Sequence, residues 1–205
     1  MADDFPKREQ EIYTIGHSNH PPERFIKLLK EYQIEVLIDV RSRPHSKQVP
    51  HFNKDALRSL VTGNGIKYLF LGKELGGLPE ESDFYDEKGY VIYSRIADSP
   101  SFLGAISRIE AGILKYRVAI MCGEENPSGC HRRLLIGRFL KGRGTTLKHI
   151  RGNGHIQAEE ELCLKEQSLT LSNSQPSLFS HKEETEWKSI RSVLQKNRRQ
   201  NSSGS

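Results

Sequence analysis

What the 205-residue chain lacks narrows its class first. Three cysteines are too few for a disulfide framework. No apolar run approaches the ~20 residues of a membrane-spanning helix, and the charged opening segment has no secretory h-region. These absences lead to the expectation of a cytoplasmic protein with reduced thiols and no membrane partner. Aromatic residues are 8% of the chain, with a single tryptophan. The basic, aromatic-interleaved surface of a nucleic-acid binder is therefore only partly present, at His45 to Phe52 and in the tail. No internal repeat is visible.

What is present fits one ordinary globular core with a polar tail left over, since 35% of residues are apolar. The net charge of +5 favours an anionic small molecule or a nucleic acid as partner. Much of that excess sits in the last third, where a basic tail is more often solvated than functional.

The chain is organised around Arg117 to Leu140. Val118 to Met121 form a continuous apolar run that suits a strand buried on both faces of a parallel sheet. A loop punctuated by Pro127 and Gly129 follows. After Cys130, Leu134, Leu135, Phe139 and Leu140 fall near one helical face, leaving Arg132, Arg133 and Arg138 for solvent or ligand. Strand, loop, helix places Cys122, Glu124, Cys130, His131 and Arg132 at a strand's carboxyl end, where open α/β sheets bind ligands.

In chain order, residues 1–10 read as a disordered leader. Ile12 to Ile15 make a strand ending at Gly16-His17-Ser18. A helix from Pro21-Pro22 to Tyr32 leads to a second strand, Val36 to Val40, which Pro44 closes. Asn53 is placed to cap a helix over Ala56 to Val61. Ile66 to Leu71 form a third strand, ending in a flexible loop, Gly72 to Gly77. Leu78 to Pro100 is an excursion with one short strand at Tyr90 to Tyr93, and Phe102 to Leu114 is a helix. Thr146 to Ile150 make a fifth strand, and Ala158 to Gln167 a short helix. Ser168 to Ser180 read as a polar linker. Trp187, Ile190 and Leu194 give Glu183 to Asn197 an amphipathic helical pattern, docked or loose.

Alternating strands and helices predict an α/β fold: one domain over 11–157, a mainly parallel sheet flanked by helices, and a partly disordered helical and polar extension over 158–205. Every strand exit then carries polar groups on one rim: His17 and Ser18; Asp39, Arg41 and Arg43; Gly76 and Gly77; Cys122 and Glu124 with Cys130, His131 and Arg132; and His149. Taken singly, each has an equally good structural reading. Asp39 serves as well to order a loop, and His149 as a satisfied core histidine.

The motifs GHS at 16–18, LIDVRSRP at 37–44, LGG at 75–77, CGE at 122–124, CHR at 130–132 and HI at 149–150 together resemble the domain-of-unknown-function family 488. The likeness spans about Ile12 to Ile150. It marks positions and implies no particular activity, cofactor or substrate.

The residues themselves point to two classes. One is an enzyme acting on a phosphorylated or nucleotide-like substrate, with Cys122, Glu124, Cys130, His131 and His17 as chemistry candidates. Ser18, Asp39, Arg41, Arg43, Gly76, Gly77, Arg132 and His149 would bind the substrate. The other is a non-catalytic nucleic-acid or nucleotide-binding module using the same basic rim. A helix start beside His131 and Arg132 predicts a Cys130 thiolate with a pKa below ~8.5. The bland alternative makes Cys130 a small apolar cap and pairs Arg132 with Glu124. A phosphatase loop fits poorly, because Ser128 stands where its arginine belongs. A sulfurtransferase cradle would need a shorter, less acidic loop after Cys122. Zinc on Cys122, Cys130 and either His17 or His131 is a further option, although the spacing is not that of ordinary knuckles, and no metal is assigned. Cofactor and oligomeric state stay open.

Overall fold

A computed structural model describes residues 10–173 and 186–193. Almost all of the expected leader, and the tail over 174–185 and 194–205, lie outside the described residues. Among the described residues six strands form one sheet: β1 (Glu11–Gly16), β2 (Val36–Asp39), β3 (Lys67–Phe70), β4 (Val118–Cys122), β5 (Thr146–Ile150) and β6 (Ile156–Ala158). Their order is β3-β2-β4-β1-β5-β6, and every pairing is parallel except β5 with β6. The α/β fold with a mainly parallel sheet is therefore as predicted, with β6 an addition.

Two-sided burial follows from strand alternation. Ile12, Ile38, Ile120 and Leu147 face one layer, packing with Phe102, Ile106 and Ile109 of α5 (Pro100–Ile113). Tyr13, Ile15, Leu37, Ala119 and Met121 face the other, packing with α1 (Pro22–Glu31) and α2 (Lys54–Thr62). Each fully buried Leu, Ile or Phe contributes on the order of 1.5–3 kcal/mol, so the two layers fix which face of each strand looks inward.

Local departures have local causes. Asn53 stands at the α2 N-cap, but its side chain accepts from the Ser46 N–H at 2.6 Å instead of capping the helix. Gly72–Leu75 is a helical turn, α3, rather than a loop. Tyr93 opens helix α4 (Tyr93–Ala97), and the strand expected at Tyr90 to Tyr93 shrinks to isolated bridges at Val91 and Ile92. The helix after Cys130 starts as a π-helix, Arg132–Gly137, and continues as α6 (Arg138–Gly142). Arg132 and Arg133 are both buried there, contrary to the reading that left them for solvent or ligand. The final helix, α7 (Glu159–Asn173), outruns its predicted end and takes in residues 168–173 of the expected linker.

Residues 186–193 form no helix apart from an end at Val193. They run as a strap whose backbone bonds to the 89–94 segment: Ser189 N–H to Val91 O at 2.8 Å, Ser94 N–H to Trp187 O at 3.2 Å and Val193 N–H to Gly89 O at 2.9 Å. Pairing with a neighbouring segment overrides the helical spacing, and it leaves Ile190 59% exposed.

Candidate functional site

The rim forms because β1, β2 and β4 run parallel and end together. Gly16 stands opposite Cys122 in the β1–β4 register, and the His17 N–H bonds to the Cys122 carbonyl at 3.0 Å. Asp39 ends β2 opposite Met121. Gly16 must be glycine, because a Cβ there would stand 1.9 Å from the Glu124 carbonyl oxygen.

At its centre Cys122, Cys130 and His131 converge. Their ligand atoms all lie within 4.8 Å of one another, with Cys122 Sγ 3.6 Å and Cys130 Sγ 3.9 Å from His131 Nδ1. His131 Nε2 lies 3.0 Å from the Val40 carbonyl. A carbonyl can only accept, so Nε2 carries the hydrogen and the Nδ1 lone pair faces the two sulfurs. Gly77 leaves room for this ring: a Cβ there would come within 2.6 Å of His131 Cγ.

The two thiols differ. Cys130 is fully buried, and burial pushes its pKa well above the usual thiol value, helped by the neighbouring Cys122. That corrects the expectation of a low-pKa Cys130: desolvation outweighs the helix start and Arg132. Cys122 moves the other way. A hydrogen bond from Cys130 lowers it, burial opposes, and Arg132 with the Glu124 and Gly123 N–H groups adds to the lowering. Cys122 is thus the more acidic thiol of the pair.

A second cluster adjoins it. Asp39 accepts from Arg41 Nε at 2.9 Å and Nη2 at 2.7 Å, and from the Tyr68 hydroxyl at 2.8 Å. Arg41 Nη1 donates to His17 Nε2 at 3.0 Å, and His17 Nδ1 donates to the Ser18 carbonyl at 2.8 Å. Burial first, and the Arg41 charge second, lower His17 to about 4. Both its nitrogens are engaged in these bonds. Phe52 stacks on it with ring centroids 4.4 Å apart.

Arg132 is fully buried and donates to the carbonyls of Glu124 and Glu125, the latter at 2.7 Å, and to Thr14 Oγ1 at 3.3 Å. It shapes the loop after Cys122. The Glu124 carboxylate instead meets Arg191 of the strap at 3.0 Å. His149, also fully buried, accepts from Thr14 Oγ1 at 2.8 Å and donates to Glu159 at 2.8 Å, while Glu159 pairs with Arg133 at 2.8 Å. Gly76 is buried against Ser42; Ser18 is half-buried with φ 46°; Arg43 is exposed.

The family model described as Domain of unknown function DUF488 matches residues 21–139, more than half of the chain. The chain belongs to this family. No curated protein and no solved structure matches it. The DUF488 span holds the Asp39–Arg41 pair and the Cys122–Cys130–His131 cluster, whereas His17 and His149 lie outside it. Among the described residues, no helix is long and apolar enough to cross a membrane. Sequence reasoning passed over Thr14, Tyr68, Arg133 and Glu159 as partners. Each is joined to the rim only through space, and no spacing signal marks it.

Proposed function

We propose that this DUF488 protein is an enzyme whose working group is the Cys122 thiolate, acting on a phosphorylated or nucleotide-like small molecule at the strand rim. One observation carries the reading: Cys122 Sγ stands 3.6 Å from His131 Nδ1, and His131 is itself fixed by the Val40 carbonyl. A nucleophile, a base within reach and a third group orienting that base make up the working set of covalent catalysis. His131 Nδ1 takes the thiol proton. Cys122 Sγ then bonds to an electrophilic phosphorus or carbon as the bond to the leaving group breaks, and the leaving group departs with the His131 proton. Water later cleaves the thio-linked intermediate and restores the thiol. Support for an anionic substrate comes from exposed Arg43 beside the Asp39–Arg41 pair and from the net charge of +5. Arg41 is paired with Asp39, and Arg132 has its donors taken by two loop carbonyls and Thr14, so they shape the rim more than they hold a ligand.

The nucleic-acid reading draws less support, because Phe52, in its expected recognition stretch, is fully buried and cannot stack on a base. The test is a screen of phosphorylated and nucleotide-like compounds for turnover by the full chain, repeated with Cys122→Ser, His131→Gln and Arg43→Ala. The expected result is turnover lost with Cys122→Ser, reduced with His131→Gln, and raised KM with Arg43→Ala. A Cys122→Ser protein with undiminished turnover overturns the proposal.

A further inference from the structure

We infer that Cys122, Cys130 and His131 bind a zinc ion, using both Sγ atoms and Nδ1, with the fourth position left to water or substrate. The inference deepens the reading of Cys122 as the working sulfur and rests on it, because it names what would hold that sulfur as a thiolate.

Geometry is the main argument. With Zn–S near 2.3 Å and Zn–N near 2.0–2.1 Å, a tetrahedral ion sets its sulfur and nitrogen ligands about 3.6 Å apart. The two sulfurs lie 3.6 and 3.9 Å from the one nitrogen, and all three atoms fall within 4.8 Å. One ion between the three atoms engages both sulfurs and the Nδ1 lone pair at once. The three donors come from two places in the fold, the end of β4 and the turn before the π-helix, so the sheet and the Arg132-bound loop bring them together.

The surroundings agree. A metal-binding histidine almost always donates its other ring hydrogen to a carboxylate, carbonyl or water, and His131 Nε2 has the Val40 carbonyl at 3.0 Å. His17 has both nitrogens engaged by Arg41 and the Ser18 carbonyl, and His149 by Thr14 and Glu159, which leaves His131 as the ligand. Two thiolates and an imidazole are a soft set that favours zinc over magnesium or calcium. Two thiolates balance the dication, with Arg132 nearby adding to their stability. Three protein ligands leave a tetrahedral ion one open position, as in catalytic rather than structural sites. A coordinating thiol is deprotonated outright, so a bound ion would hold Cys122 as a thiolate without a base.

The experiment measures zinc in the full chain purified under reducing conditions, then strips the metal with a chelator and titrates Co²⁺. The expected result is about one zinc per chain, and a Co²⁺ spectrum with thiolate charge-transfer and tetrahedral visible bands. Cys122→Ser, Cys130→Ser and His131→Gln should each lower affinity more than the 10–100-fold usual for outer partners. Cys163→Ser should not change it, and far-ultraviolet circular dichroism verifies that each variant is folded. Absence of bound zinc and of the Co²⁺ bands in the reduced chain overturns the inference, as does binding that survives Cys122→Ser and Cys130→Ser in folded protein. If metal is absent while Cys122 still alkylates first, the ion alone is refuted. If metal binds but Cys122→Ser keeps full turnover, the thiolate reading alone is refuted.

Discussion

The Val40 carbonyl, just past β2, accepts the ring hydrogen of His131 Nε2 from 91 residues away along the chain. That one bond ties the β2 exit to the turn after β4 and aims Nδ1 at both sulfurs. The arrangement of the site depends on it.

Gly77→Ala tests this aim from outside the cluster. The added Cβ would meet the imidazole at 2.6 Å, and the ring must move. The expected outcome is a stability loss of about 1–3 kcal/mol, typical of overpacking, with weakened Co²⁺ bands. Chemical denaturation and the cobalt spectrum check the two effects separately.

Asp39→Asn should destabilise the fold. Asp39 is fully buried and accepts from Arg41 and Tyr68, so its loss leaves an uncompensated guanidinium indoors. The expected cost is about 3–5 kcal/mol, read by urea denaturation.

Stability should fall with acid in two stages. His17 is lowered from 6.5 to about 4, so its contribution is complete above pH 6.5 and is lost as pH falls toward 4. Burial alone would raise Glu159, but the bonds from His149 and Arg133 outweigh it and hold the carboxyl at about 2, against 4.5 ordinarily. Its contribution is complete above pH 4.5 and is lost as pH falls toward 2. Each is worth on the order of 3 kcal/mol. Denaturation across pH 2–8 checks this. His17→Gln should shrink the upper stage and Glu159→Gln the lower, with His149 and Glu125, lowered likewise, supplying the remainder.

Truncation after residue 173 should cost stability, contrary to what the polar composition of the tail predicts. The strap's Trp187 donates its indole N–H to the Leu134 carbonyl at 2.8 Å, stacks edge-on with Tyr93 and lies under Arg138. Because Trp187 is the chain's single tryptophan, its emission reports the strap directly. Trp187→Ala should lower Tm by several degrees, equivalent to about 1–2 kcal/mol. In the full chain, an emission maximum already at the solvent-exposed value would contradict the docked strap.

How much could be read in advance follows from which interactions are local. The strand exits were legible: apolar runs at Ile12, Val36 and Val118 end in Gly16, Asp39 and Cys122, and a parallel sheet must bring such ends together. Arg132 and Arg133 were misjudged because charge next to a helix start reads as surface, whereas carbonyls of the Cys122 loop and Glu159 pair with them inside. Cys130 was misjudged for a related reason: the sequence displays its positive neighbours but not its burial. Trp187 and Ile190 keep a helical spacing, yet backbone partners at 89–94 draw residues 186–193 out. Long-range partners such as Tyr68 for Asp39 leave no trace in spacing at all.

The most direct test of the account is competitive alkylation of the metal-free full chain at neutral pH, with the three cysteines resolved by mass spectrometry. Cys163, half-buried, is raised by burial and by Glu159, while Cys122 is lowered despite its 8% exposure. The account predicts that iodoacetamide modifies Cys122 first, that His131→Gln slows this reaction, and that zinc suppresses it. Modification of Cys163 ahead of an inert Cys122 would contradict it.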